Sequence, residues 1–170
     1  LSTSAMHGNH LLTHDNFVGR HDPSPALITN AATRNLMNAV FVVAPQPYSD
    51  SGLSLVGQAP PFYIYRNDRA MPRAAVFYQY EVEPDSNATL TRLRKPSFPY
   101  RSRMLLDQPL STIPRADPSA PPINHTPARV IEWDVDHFVV EYTADQPGIL
   151  WLSENYYPYW TATSEAGESL

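Results

Sequence analysis

The stretch Ala74-Ala75-Val76-Phe77-Tyr78-Gln79-Tyr80-Glu81-Val82, introduced by Pro72-Arg73, decides the fold of this 170-residue chain. Apolar and aromatic side chains recur at every second position from Val76 to Val82, and this period of two places them on one face of an extended strand. Proline is tolerated at the start of a strand, because its missing backbone donor then faces outward or into the loop. The stretch therefore predicts a strand over residues 74–82 and a structural role for the Pro72-Arg73 junction.

Further strands are predicted on both sides of this one, from short apolar or alternating runs bounded by turn residues. They are Val40–Val43, Leu53–Leu55, Phe62–Tyr65, Arg103–Leu106, Val130–Val135, Phe138–Tyr142, Ile149–Ser153 and Trp160–Thr163. The first of them is apolar throughout, which predicts a buried strand.

Helices are predicted mainly near the start of the chain. A short one ends at Gly19, and a second has Ser24 as its N-cap, Pro25 at its first position and its end near Asn38. Residues 87–98 are expected to form one or two helical turns. The predicted fold is α+β, with short N-terminal helices followed by antiparallel strands that form a β-sandwich or half-sandwich.

Proline divides the chain into parts. The chain has 18 prolines, which argues against a helical bundle because proline breaks helix interiors. Six of them lie between Pro109 and Pro127, a pattern typical of a linker or an extended surface loop. We therefore expect an α+β part over residues 1–108, a proline-rich segment over 109–127, and an all-β part over 128–170.

Composition excludes several classes of function. A net charge of −5 without a basic run argues against nucleic-acid binding, and the absence of cysteine excludes disulfide scaffolds, zinc ribbons and cysteine nucleophiles. No catalytic signature or glycine-rich phosphate loop is present. The longest apolar run, Ala39–Ala44, is far short of the roughly 20 residues of a membrane-spanning helix. The residues thus predict a non-catalytic domain without a cofactor.

Two groups of side chains have spacings compatible with metal binding. His7, His10 and His14 would share one face of a helix, and Glu132, Asp134 and Asp136 would share one face of a strand. Imidazoles favour transition metals and carboxylates favour calcium. We favour the alternatives, a polar terminal helix and a solvated strand face, and expect no metal site.

The segment Trp151–Trp160 is rich in aromatic residues and allows two interpretations. It could be a platform on which sugars stack, or a hairpin whose rings fill the core. We favour the second and expect β-strand 149–153 to be central, with Trp151 and Trp160 buried. The candidates for glycan or lipid-phosphate contact are then Tyr156, Tyr157 and Tyr159 near the bend, together with Arg73. Arg73 could instead pair with Glu81 or Asp68.

The order of several motifs resembles the soluble extracytoplasmic region of YfhO-type bacterial membrane proteins, which belong among the GT-C-like glycosyltransferases. The similar segments are His7-Gly8-Asn9, Phe17-Val18-Gly19, the helix-to-strand junction Asn35–Val43, Tyr65-Arg66-Asn67, Ala70–Ala74, Leu90–Leu106 and the closing Gly148–Ala162. Departures occur at Tyr159, where the family has glycine, at Thr163–Glu165, and at Ala39-Val40, which replaces an arginine. They predict a truncated or divergent member with an incomplete terminal sheet.

The resemblance implies a location and partners. The chain would be an accessory domain on the outer face of the bacterial cytoplasmic membrane, attached to the transmembrane part of its own full-length protein. The parent would be a glycosyltransferase that modifies cell-envelope glycans with lipid-linked sugars, and its catalytic residues would lie outside this chain. Two alternatives stay open: a stand-alone carbohydrate- or envelope-binding module, and a structural partner-binding domain.

Overall fold

The computed structural model describes residues 30–111, 113, 115–117, 119–154, 160–167 and 169. They are mostly β, with two short helices and antiparallel sheets, one of which curls into a half-barrel. The elements in chain order are α1 (Ala31–Leu36), β1 (Phe41–Ala44), β2 (Leu53–Ala59), β3 (Phe62–Asn67), β4 (Ala74–Phe77), β5 (Tyr80–Val82), α2 (Ser86–Leu93), β6 (Met104–Leu106), β7 (Thr126–Trp133), β8 (Phe138–Glu141) and β9 (Ile149–Leu152). None of the helices among these residues is long and apolar enough to cross a membrane.

Helix α1 begins with a side-chain cap and lies in the interior. The Asn30 side chain accepts a hydrogen bond from the Thr33 amide at 2.9 Å, which satisfies a donor that the first turn leaves open. The described helix ends at Leu36, two residues before the predicted end, and Asn38 has a φ of +51°. Asparagine tolerates this left-handed conformation better than most residues. The predicted start of this helix, and the predicted helix that ends at Gly19, lie outside the described residues.

The first sheet has the antiparallel order β1-β3-β2. One face of β1 is buried: Val42 and Ala44 pack with Tyr65 of β3. On the other face Phe41 and Val43 are 61% and 56% exposed. The prediction of a fully buried strand is therefore wrong, because β1 is an edge strand of an antiparallel sheet with one covered face.

The second sheet has the order β8-β7-β4-β9, and β5 pairs separately with β6 in parallel. The single strand predicted over residues 74–82 is thus two strands that belong to different sheets. Gln79 lies at the break, where its side-chain amide donates to the Pro121 carbonyl at 3.3 Å and accepts from the Ile123 amide at 3.0 Å. The chain changes pairing partners at the point where Gln79 is hydrogen-bonded to the proline-rich segment and to Ile123, which precedes β7.

Strands from both sides of the proline-rich segment share the second sheet, since β4 pairs with β7 and β9. The segment itself packs against the core. Ile113 is buried with Tyr80 and Ile149. The Tyr80 hydroxyl accepts from the Leu110 amide at 2.9 Å and donates to the Ile113 carbonyl at 3.1 Å.

Two expectations for the end of the chain are wrong. Strand β9 lies at the edge of its sheet, not at the centre, with β4 as its neighbour. Apolar residues on both its faces reflect packing against other parts of the chain, since Trp151 packs with Met71 and Phe77. The predicted strand Trp160–Thr163 is absent from the described residues, where Thr163 forms one isolated bridge with Ser169.

Candidate functional site

The hairpin formed by β7 and β8 presents a tryptophan to solvent. Trp133 is the last residue of β7 and pairs with Phe138, the first residue of β8. The turn between them is closed by the Asp134 amide, which donates to the His137 carbonyl at 2.8 Å. A bulge between Val130 and Glu132 interrupts the register just before Trp133, and bulges are often used to redirect side chains. Trp133 is 63% exposed.

Two further rings continue from Trp133. The centroid of the Phe138 ring is 6.0 Å from Trp133, and the centroid of Trp160 is 5.1 Å from Phe138. The rings are tilted by 38° and 36° at these two contacts. Phe138 and Trp160 are half-buried. We call these three rings the aromatic surface.

An ion pair borders the aromatic surface. The Arg73 guanidinium lies 4.1 Å from the centroid of the Trp133 ring, and its Nη2 donates to the Glu154 carboxylate. Both side chains are part-exposed, at 28% and 29%. The backbone fixes their proximity, because the Ser153 amide donates to the Arg73 carbonyl at 2.8 Å. We call Arg73 and Glu154 the ion pair.

The partners predicted for Arg73 are wrong, because each of them is held elsewhere. Glu81 accepts from Arg92 and from Arg103, the latter at 2.9 Å. Asp68 accepts from the Nε of Arg66 at 2.7 Å. The structural role of the Pro72-Arg73 junction stays a prediction; in the structure Arg73, just before β4, donates to Glu154, which follows β9.

A second charged cluster has a structural explanation. Glu81 of β5 receives hydrogen bonds from Arg92 of α2 and from Arg103, which precedes β6. Burial alone would raise the pKa of the Glu81 carboxyl, but the hydrogen bonds from Arg103 and Arg92 outweigh it and lower the pKa. The cluster attaches α2 to the β5–β6 pair.

A buried polar network likewise connects elements. The Asn35 side chain donates to the Tyr100 hydroxyl at 2.7 Å and accepts from the Asn67 side chain at 2.9 Å. Asn67 also donates to the Ala39 carbonyl at 3.0 Å. Buried amides need such partners, and these bonds attach α1 to the first sheet.

The predicted site residues divide between the described and the undescribed parts of the chain. Arg73 lies at the aromatic surface, whereas Tyr156, Tyr157 and Tyr159 lie outside the described residues. Trp151 is half-buried, and its ring meets Phe77 edge-on at 6.1 Å. The histidines His7, His10 and His14 are also outside the described residues.

Sequence reasoning missed Trp133 and Phe138 as site residues. The available signal was their position on either side of a short acidic turn, where a tryptophan has little room to become buried. The spacing of Glu132, Asp134 and Asp136 is compatible with calcium. Among the described residues no group of three or more histidine, aspartate or glutamate side chains could hold a metal ion, so Glu132, Asp134 and Asp136 do not converge.

The arrangement can hold a ligand that is flat on one side and hydroxylated at its edge. The guanidinium covers part of Trp133, and the exposed remainder of the ring is available for apolar contact. The ion pair supplies donors on Arg73 and acceptors on Glu154 beside that ring.

In comparisons with known proteins, no family model, curated protein or solved structure matches the chain.

Proposed function

We propose that this chain is a non-catalytic, glycan-binding accessory domain of a polytopic bacterial membrane protein, held on the outer face of the cytoplasmic membrane. The observation that carries the proposal is the aromatic surface, with Trp133 63% exposed beside the ion pair. Tryptophan combines a large apolar ring with one hydrogen-bond donor, and it is enriched at binding interfaces for this reason.

A sugar ring matches the chemistry of this surface. Pyranoses have apolar C–H faces and a rim of hydroxyl groups that both donate and accept hydrogen bonds. The Trp133 ring suits the apolar face, and the tilt of Phe138 and Trp160 extends the apolar contact toward a second sugar unit. Arg73 and Glu154 can then exchange hydrogen bonds with the hydroxyl rim.

The resemblance to YfhO-type proteins supports the placement of this domain. It would sit next to the transmembrane part of its own protein and hold an envelope glycan or a lipid-linked sugar for a transferase whose catalytic residues lie elsewhere. We further propose that the antiparallel sheets pack as a sandwich or half-sandwich, supported by the one buried face of the first sheet. A stand-alone envelope-binding module is the alternative that uses the same surface.

Calorimetric titration tests the proposal. The chain is titrated with uncharged oligosaccharides of glucose, mannose and N-acetylglucosamine, and at least one should bind. Trp133→Ala should then weaken binding about tenfold or more, as loss of a central aromatic contact does. Phe41→Ala is the matched control, because Phe41 is similarly exposed at 61% but lies in the first sheet. Equal losses in both variants, or no binding by the native chain, would contradict the proposal.

A structural partner-binding role is the second candidate, favoured by the uncovered face of the first sheet. Phe41, Val43 and Phe62 lie on this face and are 61%, 56% and 47% exposed, and exposed apolar patches often mark interaction sites. The occupant would be the transmembrane part of the parent protein. A Phe41→Ser, Val43→Ser double variant would then lose association with that part while its glycan titration stays unchanged.

A further inference from the structure

We infer that the aromatic surface selects uncharged glycans and rejects acidic ones, such as chains of uronic acids or sugar phosphates. The inference rests on the proposed glycan-binding function and specifies the class of ligand. It follows from the charges that surround Trp133.

The cation at this surface is neutralised in place. An exposed arginine beside an aromatic ring would ordinarily attract a carboxylate or a phosphate. The Nη2 of Arg73, however, donates to the Glu154 carboxylate, and the guanidinium is also held against the Trp133 ring at 4.1 Å. An acidic sugar approaching Arg73 would meet the Glu154 carboxylate at nearly the same distance. The attraction of an acidic sugar to Arg73 and its repulsion by Glu154 therefore largely cancel.

The surrounding charges favour rejection of anions. Trp133 lies between Glu132 and Asp134 in the sequence, and Asp136 follows in the same turn. All three carboxylate residues are exposed. Glu132 pairs with Val139 on the other face of the hairpin from Trp133 and Phe138, so the charges that oppose an acidic ligand here are Glu154, the turn residues Asp134 and Asp136, and the net charge of −5. Like-charge contacts of this kind act as a barrier against the wrong ligand.

Uncharged sugars do not meet this barrier. Their hydroxyl groups can accept from Arg73 and donate to Glu154 without separating the ion pair. Their C–H faces contact the Trp133 ring in the same way whether or not a carboxylate is present on the sugar. Charge is therefore the property by which the site distinguishes two glycans of the same shape.

The experiment compares two hexasaccharides of the same linkage and ring configuration, β-1,4-mannohexaose and the β-1,4-mannuronate hexamer, in which a C6 carboxylate replaces the C6 hydroxymethyl group. The β-1,4-glucose and β-1,4-glucuronate hexamers are a second set. In titrations at low salt the uncharged chain should bind at least about tenfold more tightly. Raising the ionic strength should narrow this difference, because salt screens repulsion between exposed charges.

Charge variants refine the test. Glu154→Gln keeps an acceptor oxygen and removes one negative charge, so the ratio of the mannohexaose affinity to the mannuronate affinity should fall several-fold, whatever happens to the mannohexaose affinity itself. Asp68→Asn is the matched control, since Asp68 belongs to the exposed Arg66–Asp68 pair of another sheet. It should change neither affinity by more than about twofold.

The outcomes separate the inference from the function on which it rests. If the acidic chain binds the native protein as tightly as the uncharged one, and Trp133→Ala abolishes both, the selectivity is overturned and glycan binding stands. If no oligosaccharide of either kind binds, both fail. Even if Glu154→Gln does not fold, the salt dependence of the affinity difference between the two oligosaccharides, measured on the native chain, tests the selectivity.

Discussion

At the scale of single residues, the positions of the charged side chains on the second sheet are set by the groups that they contact. Arg73 is held by Glu154 and by the Trp133 ring, which orients the guanidinium before any ligand arrives. Pre-positioned groups of this kind lower the entropic cost of binding. The Trp133 ring and the ion pair therefore occupy fixed positions relative to each other.

In the core, the Tyr80 hydroxyl likewise depends on its hydrogen-bond partners. Its side chain is 1% exposed, and its hydroxyl accepts from the Leu110 amide at 2.9 Å and donates to the Ile113 carbonyl at 3.1 Å. Tyr80→Phe leaves a buried donor and a buried acceptor unpaired, which should cost about 1–3 kcal/mol in the free energy of unfolding. Chemical denaturation measures this difference.

The control for that measurement is Tyr63→Phe. Tyr63 is half-buried in the first sheet, and no hydrogen bond of its hydroxyl is found among the described residues. Its replacement should change the free energy of unfolding by less than about 0.5 kcal/mol. Similar losses in both variants would show that the Tyr80 hydroxyl does not hold the proline-rich segment.

Single residues were predicted unevenly from the sequence. Arg73 could be predicted as a candidate site residue because it begins a strand. Its partner Glu154 could not be predicted, because it is 81 residues away in the sequence and only the pairing of β4 with β9 brings the two residues together. Trp133 was missed because tryptophan in a strand normally indicates core. Its place beside the acidic turn was a local signal, but the contact with Arg73 is not a local property of the sequence, because it depends on the pairing of β4 with β7.

At the scale of elements, close packing between β4 and the start of β9 depends on a glycine. A Cβ built on Gly148 would lie 2.5 Å from the Cγ1 of Val76 and 3.0 Å from the Phe77 carbonyl oxygen. Gly148→Ala must therefore displace a core strand, and we expect a loss of about 1–3 kcal/mol in the free energy of unfolding.

Gly57→Ala is the matched control for this prediction. Gly57 also lies in a sheet, but the nearest atom to an added Cβ is the Cδ1 of Ile64 at 3.7 Å, an ordinary van der Waals contact. This variant should be nearly neutral. Thermal melts of the two variants side by side test the comparison, and a Gly148→Ala protein as stable as the native chain would refute the close approach.

The attachment of α2 to β5 and β6 should weaken in acid. Hydrogen bonds from Arg103 and Arg92 lower the pKa of Glu81 despite its burial. A carboxyl with a lowered folded-state pKa contributes stability that is present above its unfolded value, about 4.5, and that is lost as the pH falls through the folded value. Glu81→Gln should therefore be less stable than the native chain at neutral pH, with a difference that shrinks in acid.

Melting temperatures measured from neutral pH to about pH 3 test this dependence. Glu165→Gln is the control, since Glu165 is exposed in a turn. A Glu81→Gln deficit that stays constant across the pH range would mean that packing, and not the charge of Glu81, stabilises the cluster.

The positions of the strands along the chain could be predicted better than the strands with which they pair. The alternation at Phe62–Tyr65 and the apolar run at Ile149–Ser153 correctly predict β3 and β9. The break at Tyr78 and Gln79 could not be predicted, because the same alternation fits one long strand or two strands in different sheets. The edge position of β9 could not be predicted from the sequence either. Apolar residues on both faces of a strand indicate that it is buried, but they do not indicate how many strands pair with it.

At the scale of the whole molecule, the two sheets offer surfaces of different kinds. The first sheet exposes aliphatic and phenyl side chains such as Phe41 and Val43, whereas the second exposes Trp133 among charged groups. An apolar face suits contact with another protein, and an aromatic ring with hydrogen-bonding neighbours suits a sugar. This division is compatible with the two roles proposed above, because glycan binding and partner binding would use different sheets.

The tryptophan side-chain signals in a two-dimensional ¹H–¹⁵N NMR spectrum test the central proposal most directly. The chain contains three tryptophans: Trp133 and Trp160 belong to the aromatic surface, and Trp151 packs beside Phe77. When an uncharged oligosaccharide that binds in the calorimetric titration is added, the indole signals of Trp133 and Trp160 should shift with saturation, and that of Trp151 should not. Shifts at Trp151 alone, or unchanged signals at all three, would contradict glycan binding at the aromatic surface.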